Sequence, residues 1–467
     1  MARIIWFRRD LRIHDHPALN TAIESAQKDG DAQVLALYIV GPRTWKSMNP
    51  LQQTYLKQSL ESLNSSLQGN LVVKYGDAKT LVPTLAKTIK ASAVHISESH
   101  TPNAIARDLF VESELAKLDI DFIRTGSAYA VAPGRVTKDD GTYYKVYTPF
   151  YKGWLKHGWR GPAPTPTNWP AWITGILSDE LPAIKLPAGV ELPTAGEREA
   201  LARWEYFKSN GLSDYDQARN RPDVDGTSRL STALRFGEIH PRTLLADLDD
   251  TSGHEVFRKE IAWREFYADI LFNRPDTEDG YYNSAYTAMQ YDTGSAADER
   301  FTAWTLGRTG YPFVDAGMRQ LRQTGWMHNR VRMVVASFLI KDLHIEWTRG
   351  AQYFKDWLLD FDPASNSHGW QWTAGCGTDA SPYYRVFNPI GQGQRFDPNG
   401  DYVREFIPEL RHIDGASVHE PWNTLEGYTH NNYPEPIVDH AAERLEALAR
   451  LEKLPKGKVQ APQPFEK

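Results

Sequence analysis

Two periodicities alternate through the first 123 residues, and that alternation constrains the fold more than any other feature of the chain. Apolar runs at Ile4–Phe7, Val34–Val40, Leu71–Val73 and Val94–Ile96 have strand length and little polar alternation, as strands buried on both faces do. Helical patterns lie between them, at about 16–26, 50–68, 78–90 and 103–118, and a fifth strand pattern follows at Ile120–Ile123. This order predicts an α/β N-terminal domain over 1–130, a doubly wound parallel sheet with helices on both faces. No Gly-x-Gly-x-x-Gly follows the first strand, so an ordinary dinucleotide pocket is not expected there.

The pattern then changes. Gly161-Pro162-Ala163-Pro164-Thr165-Pro166 opens a Pro-rich stretch, and residues 131–200 read as an interdomain linker. From 201 to 450 the periodic segments are helical, which predicts a larger all-α C-terminal domain, with 451–467 a short tail. Two domains suit 467 residues, since one core rarely grows beyond roughly 250–300. The single cysteine, Cys376, excludes a disulfide framework and fits a reducing cytoplasm. No signal segment follows Met1, and no apolar run is long enough to span a membrane. A net charge of −6 argues against nucleic-acid binding unless cations are gathered on one face.

Four constellations after residue 225 are candidates to carry chemistry. Glu260, Trp263, Arg264 and Tyr267 fall at helical spacing and share one face of a helix over about 254–272. An amphipathic helix with an internal ion pair would look the same. Asn329 and Met333, with Arg330 beside the first, offer an amide and a polarizable thioether on one face of a helix over about 325–343. Asp360, Asp362 and Asn366 precede Trp370 and Trp372, a set suited to a conjugated ring with ionisable nitrogens. It lacks the His or Cys spacing of a metal site, and no metal is expected. Gly226-Thr227-Ser228-Arg229-Leu230-Ser231 reads either as an anion cradle at a helix start or as a plain Ser/Thr cap.

These regions together resemble the photolyase/cryptochrome family, and within it the class I cyclobutane pyrimidine dimer photolyases. Trp6-Phe7-Arg8-Arg9-Asp10-Leu11-Arg12 is similar to the family's N-terminal signature. Trp263-Arg264-Glu265-Phe266-Tyr267 is similar to its substrate helix. Gly310-Tyr311-Pro312, Trp326-Met327-His328-Asn329-Arg330 and Gly369-Trp370-Gln371-Trp372 are similar to its helical core. The resemblance covers about residues 2 to 445. It implies one non-covalent FAD held by Tyr215, Thr227, Ser228, Arg229, Leu230, Ser231, Phe257, Asp360, Phe361, Asp362 and Asn366, the last beside flavin N5. It implies Glu260, Trp263, Asn329, Met333 and Trp372 at the lesion. Arg219, Arg264, Tyr267, Arg330 and Gln392 join these on DNA, Lys145 and Lys152 lie near that face, and Arg264 is expected to point outward to phosphate. The partner implied is DNA containing pyrimidine dimers, and the chain is expected to act as a monomer.

The resemblance also has departures. Trp370 and Trp347 match the first two members of the family's electron relay, but Tyr291 stands at the third, with a longer loop after it. Ser99 and the Asn103-Ala104 pair differ from the residues expected of deazaflavin and folate binders, so the resemblance leaves a second, antenna chromophore unassigned. A signalling cryptochrome is the competing reading. The joint presence of the lesion residues, and a chain that stops soon after the helical domain, favour repair.

Overall fold

The computed structural model of the chain describes residues 2–30, 32–379, 384–424 and 432–455. β1 (Ala2–Phe7), β2 (Val34–Val40), β3 (Leu71–Tyr75), β4 (Ala91–Glu98) and β5 (Asp121–Ser127) form one parallel sheet in the order β3-β2-β1-β4-β5. Helices Pro17–Lys28, Pro50–Ser66, Ala78–Thr88 and Pro102–Ala116 connect the strands, as expected. In β1, Ile4 and Trp6 pack with Leu35, Leu37, Val94 and Ile96, while Ile5 and Phe7 pack with Leu19, Ala36 and Leu56. Both faces of the strand are buried, which is why the run is apolar throughout.

Strand order reverses between β1 and β4, where sheets of this kind usually bind ligands beyond the strand ends. Here a side chain fills that position. Arg8, the residue after β1, pairs with Asp108 at 2.5 Å, donates to the Ser97 carbonyl and lies over the Trp6 ring. A guanidinium there needs no glycine turn, which accounts for the missing dinucleotide motif.

The chain divides into two compact units. The first comprises Met1–Asp216, Thr227–Pro275 and Leu359–Asp362. The second comprises Gln217–Gly226, Asp276–Leu358 and the chain from Pro363. This is a different division from boundaries at 130 and 201. Buried carboxylates explain why helices past residue 197 join the sheet. Glu197 accepts from the amides of Ile13 and His14 at 2.9 and 2.6 Å. Glu238 accepts from Tyr55 and Ser59 at 2.7 and 2.5 Å, and Asp15 pairs with Arg242 at 2.6 Å. Gly237, at φ 75°, brings the chain against the Arg9 carbonyl, where a Cβ would sit 2.0 Å from the oxygen. The segment expected as linker holds a helix, Tyr147–His157.

After β5 the regular elements are helical, apart from the isolated bridges Val34–Trp172 and Thr137–Tyr143. The second unit is built on helices Pro312–Thr324, Asn329–Lys341, Trp347–Trp357, Pro363–Ala374 and Pro389–Phe396. Among the described residues no helix is long and apolar enough to cross a membrane.

Candidate active site

In the first unit the helix Ser252–Asn273 carries the expected stripe. Phe257, Ile261, Ala262, Glu265, Phe266 and Asp269 are buried, while Glu260, Trp263, Arg264 and Tyr267 are half-buried along one edge of that core face. Trp263 stacks on Tyr147 with ring centroids 3.7 Å apart and planes 6° apart, and Tyr147 donates to the Lys259 carbonyl at 2.7 Å. Two aromatic rings therefore form one flat, pre-oriented surface. Such stacking is worth about 0.5–1.5 kcal/mol beyond area burial.

Arg264 does not point outward. It donates to the carbonyls of Ala128 at 3.1 Å and Leu234 at 3.4 Å and lies over the Tyr129 ring. The reason is electrostatic: the Asp362 carboxylate draws it in, together with Arg9 and Arg235. Arg9 pairs with Asp362 at 2.8 Å, and Arg235 donates to the neighbouring Phe361 carbonyl at 2.5 Å. Burial opposes ionisation of Asp362, but the guanidiniums of Arg9, Arg264 and Arg235 hold its carboxyl well below the usual carboxylate range. Arg235 itself is pushed down to about 10, by burial first and by repulsion from Arg9 second. Three guanidiniums around one carboxylate make a partly buried locus with surplus positive charge.

The segment 227–231 leads into the short helix Ser231–Phe236. Arg203 donates to the Thr227 carbonyl at 2.7 Å and the Ser228 carbonyl at 3.0 Å, and Arg229 holds the left-handed φ of 53°. Both observations describe a turn whose carbonyls are tied back by Arg203, with the Leu230 amide donating to Ser228 Oγ at 3.4 Å. Tyr215 and Phe257 meet edge to face at 5.3 Å, and Trp204 stacks on Phe257 at 5.4 Å, so an aromatic wall lies in the same unit.

The second unit holds the rest. Asn329 is exposed at the start of its helix, and Met333, one turn on, is half-buried. Arg330 donates to Asn220 at 2.7 and 3.2 Å and lies over Phe396 at 4.5 Å. Its pKa is pushed down to about 10 by burial and then by Arg219 and Arg395, so three arginines share one neighbourhood. Gln392 is half-buried on the helix that carries Arg395. Trp372 is half-buried and lines a small cleft with Lys341 and Tyr384. Asn366 gives one amide hydrogen to the Ala351 carbonyl at 3.1 Å, leaving a second donor on the same nitrogen.

Trp370 and Trp347 are buried in this unit. Gly350 makes room for Trp370, since a Cβ there would come within 2.2 Å of the indole. Tyr291 is half-buried, with the Tyr281 phenol as a polar neighbour. Among the described residues no group of His, Cys, Asp and Glu could hold a metal ion.

Sequence reasoning missed several of these partners. Tyr147 lay in the stretch read as linker, although its aromatic density, Tyr143 to Trp154, was a signal. Arg9 stood inside a quoted motif without a role. Arg203, Arg235, Arg395 and Tyr281 carried no local signal, because their contacts depend on distant parts of the chain.

Comparison with known proteins accounts for this combination. Residues 3–171 match the family model described as DNA photolyase, and residues 257–453 match the FAD binding domain of DNA photolyase. The chain is 38% identical to a deoxyribodipyrimidine photo-lyase of Alkalihalophilus pseudofirmus, over 96% of this chain and 97% of that one. A class III photolyase from Agrobacterium tumefaciens has a similar structure, with a TM-score of 0.89 at 36% identity over 97% of each chain. A cryptochrome from Synechocystis gives a TM-score of 0.84 at 28% identity, covering 96% of this chain and 98% of that one. The chain belongs to the DNA photolyase family.

Proposed function

We propose that this chain is a deoxyribodipyrimidine photo-lyase that repairs cyclobutane pyrimidine dimers in DNA, acting as a cytoplasmic monomer. FAD, reduced and anionic, would supply an excited electron to the dimer, and the protein's share is placement and tuning. The observation that carries the reading is the charge balance at Asp362. Arg9, Arg235 and Arg264 outnumber the carboxylate, and surplus positive charge away from water favours an anionic ring over a neutral one. Tyr215, Phe257, the 227–231 segment, Asp360, Phe361 and Asp362 in the first unit, and Asn366 in the second, would hold the cofactor. The remaining N–H of Asn366 would donate to flavin N5.

At the lesion, Trp263 backed by Tyr147 offers a flat apolar face to a flipped base. Trp372 and Met333 in the second unit offer further apolar contact. Asn329 would hydrogen-bond a base edge. Glu260, protonated, would donate its O–H to a thymine carbonyl oxygen as negative charge develops there. Arg219 and Arg330, with Arg395, suit phosphate, and Tyr267 and Gln392 would contact DNA beside them. Arg264 belongs with Asp362 in this reading. Trp370 and Trp347 would carry electrons to the oxidised cofactor. Class I rests on the motifs, and the antenna chromophore is open.

Light-dependent restoration of a dimer-containing oligonucleotide by the purified, reduced chain tests the proposal. Glu260→Gln is expected to retain more repair per absorbed photon than Glu260→Ala, at equal flavin content. Equal, undiminished yields in both variants remove the assigned role. Flavin photochemistry without any restoration favours a cryptochrome instead, the reading that the similar Synechocystis structure keeps in play.

A further inference from the structure

The buried Trp347 sits beside a polar assembly that the family's motifs do not describe. The Tyr281 ring meets Trp347 edge to face, with centroids 5.8 Å apart and planes at 86°. The Tyr281 hydroxyl donates to Glu346 Oε1 at 2.8 Å, and Glu346 directly precedes Trp347 in the chain. The Tyr291 phenol is a polar neighbour of Tyr281, and the hydrogen of Tyr281 is directed to the carboxylate. All four residues lie in the second unit. Tyr281 and Tyr291 are half-buried, whereas Trp347 is 1% exposed.

Proton inventory separates the indole from the phenol. The Trp347 N–H is buried and has no hydrogen-bond acceptor among the described residues. An oxidised Trp347 therefore has no described acceptor bonded to its N–H to take the proton, and as a radical cation it would hold its positive charge in a buried position. Tyr281 has an acceptor in line at 2.8 Å, so oxidation and deprotonation can occur together, and the product on the phenol carries no charge. Burial, reinforced by the Glu346 carboxylate, pushes the Tyr281 phenol above its ordinary range, which keeps it protonated at rest.

We propose that Tyr281 is the residue that takes the oxidising equivalent from Trp347, with Glu346 as the base that accepts its proton. This rests on the reading of Trp370 and Trp347 as an electron relay. One electron passes from the Tyr281 phenol to the Trp347 radical cation, which the relay supplies as oxidant. The Tyr281 O–H bond breaks and an O–H bond forms on Glu346. The products are neutral Trp347, a neutral Tyr281 phenoxyl radical and a protonated Glu346. A soluble thiolate then returns one electron to Tyr281, the proton moves back from Glu346, and a thiyl radical leaves.

The test is flash excitation of the flavin-loaded chain, with the radicals identified by electron paramagnetic resonance and followed by transient absorption. In the wild type a tryptophan radical is expected first and a neutral tyrosyl radical second, with formation of the second slowed in heavy water. Tyr281→Phe should leave the tryptophan radical and abolish the tyrosyl signal. Glu346→Gln should slow tyrosyl formation by on the order of a hundredfold, the low end of what a positioned base contributes, and Glu346→Asp should recover part of it. Flavin content and circular dichroism of each variant serve as the folding control. A wild-type tyrosyl yield in Tyr281→Phe, or an unchanged rate in Glu346→Gln, overturns the proposal while the relay stands. A tryptophan radical that survives Trp347→Phe with its tyrosyl successor intact overturns the relay reading itself.

Discussion

Asp362 and Glu265 are both carboxylates withdrawn from water in the first unit, and they behave in opposite ways. Asp362 faces the guanidiniums of Arg9, Arg264 and Arg235 and is held ionised, well below the usual range. Glu265 accepts from the amides of Ala130 and Val131 and from the Trp154 indole, at 3.0 Å for Val131 and 2.6 Å for Trp154. Its pKa is nonetheless pushed up to about 7, because burial outweighs those three hydrogen bonds and the more distant Arg264. Withdrawal from water thus ends in opposite pKa shifts, although the Asp362 side chain is 14% exposed and Glu265 only 2%. Neutral N–H donors can satisfy a carboxylate's lone pairs, but formal cations are needed to keep it ionised away from water. The first arrangement is suited to handling an anionic cofactor. The second ties the helix Ser252–Asn273 to the 130–131 backbone.

The harshest way to break this contrast is Asp362→Ala. It leaves three guanidiniums crowded without their counter-ion, and one-sided removal of a buried partner costs about 3–5 kcal/mol. A lower urea midpoint and loss of bound flavin are expected. An unshifted midpoint means that the cluster does not depend on Asp362.

Next in size is the effect of pH at Glu265. Its folded pKa lies above its unfolded value, so between about 4.5 and about 7 the folded state holds more protons than the unfolded one. Stability should fall as pH rises through that window and level off above it. The span corresponds to about 3 kcal/mol at 1.36 kcal/mol per pKa unit. Glu265→Gln, which cannot ionise, should flatten that part of the slope when urea midpoints at pH 5 and pH 8 are compared. A slope identical to the wild type's places the titration elsewhere.

The smallest effect sharpens the contrast, because Arg264 acts on both carboxyls. Arg264→Gln should cost about 1 kcal/mol from weakened bonds to Ala128 and Leu234. Carbon-labelled NMR titration should show both carboxyl pKa values rising, that of Asp362 more. A rise confined to Glu265 would mean that Arg9 and Arg235 alone keep Asp362 ionised.

Local pattern explains what could be read before the structure. The apolar strand runs, the helices between them and the Glu260–Tyr267 stripe are features of adjacent residues, and periodicity reports them directly. The FAD and lesion assignments came from resemblance, because no spacing rule distinguishes Asp362 from any other acid near a tryptophan. The orientation of Arg264 could not be read. It depends on Asp362, far along the chain, and on a tyrosine and two carbonyls that no helix pattern contains. The Trp263–Tyr147 stack was missed for a related reason: a Pro-rich stretch masked a neighbouring helix. Tyr281 escaped because the relay was sought at the position of Tyr291, and only geometry shows which phenol meets Trp347.

The first unit is assembled from three separate stretches, and the last of them, Leu359–Asp362, follows the whole of Asp276–Leu358 in the chain. During synthesis, which runs at roughly 5–20 residues per second, the sheet and the helix Ser252–Asn273 emerge several seconds before Asp362 does. For that interval Arg9, Arg235 and Arg264 have been made and their carboxylate has not. A nascent chain stalled before residue 359 would carry these three guanidiniums without the carboxylate that gathers them, so this corner of the first unit is completed only after the chain has been made past Asp362.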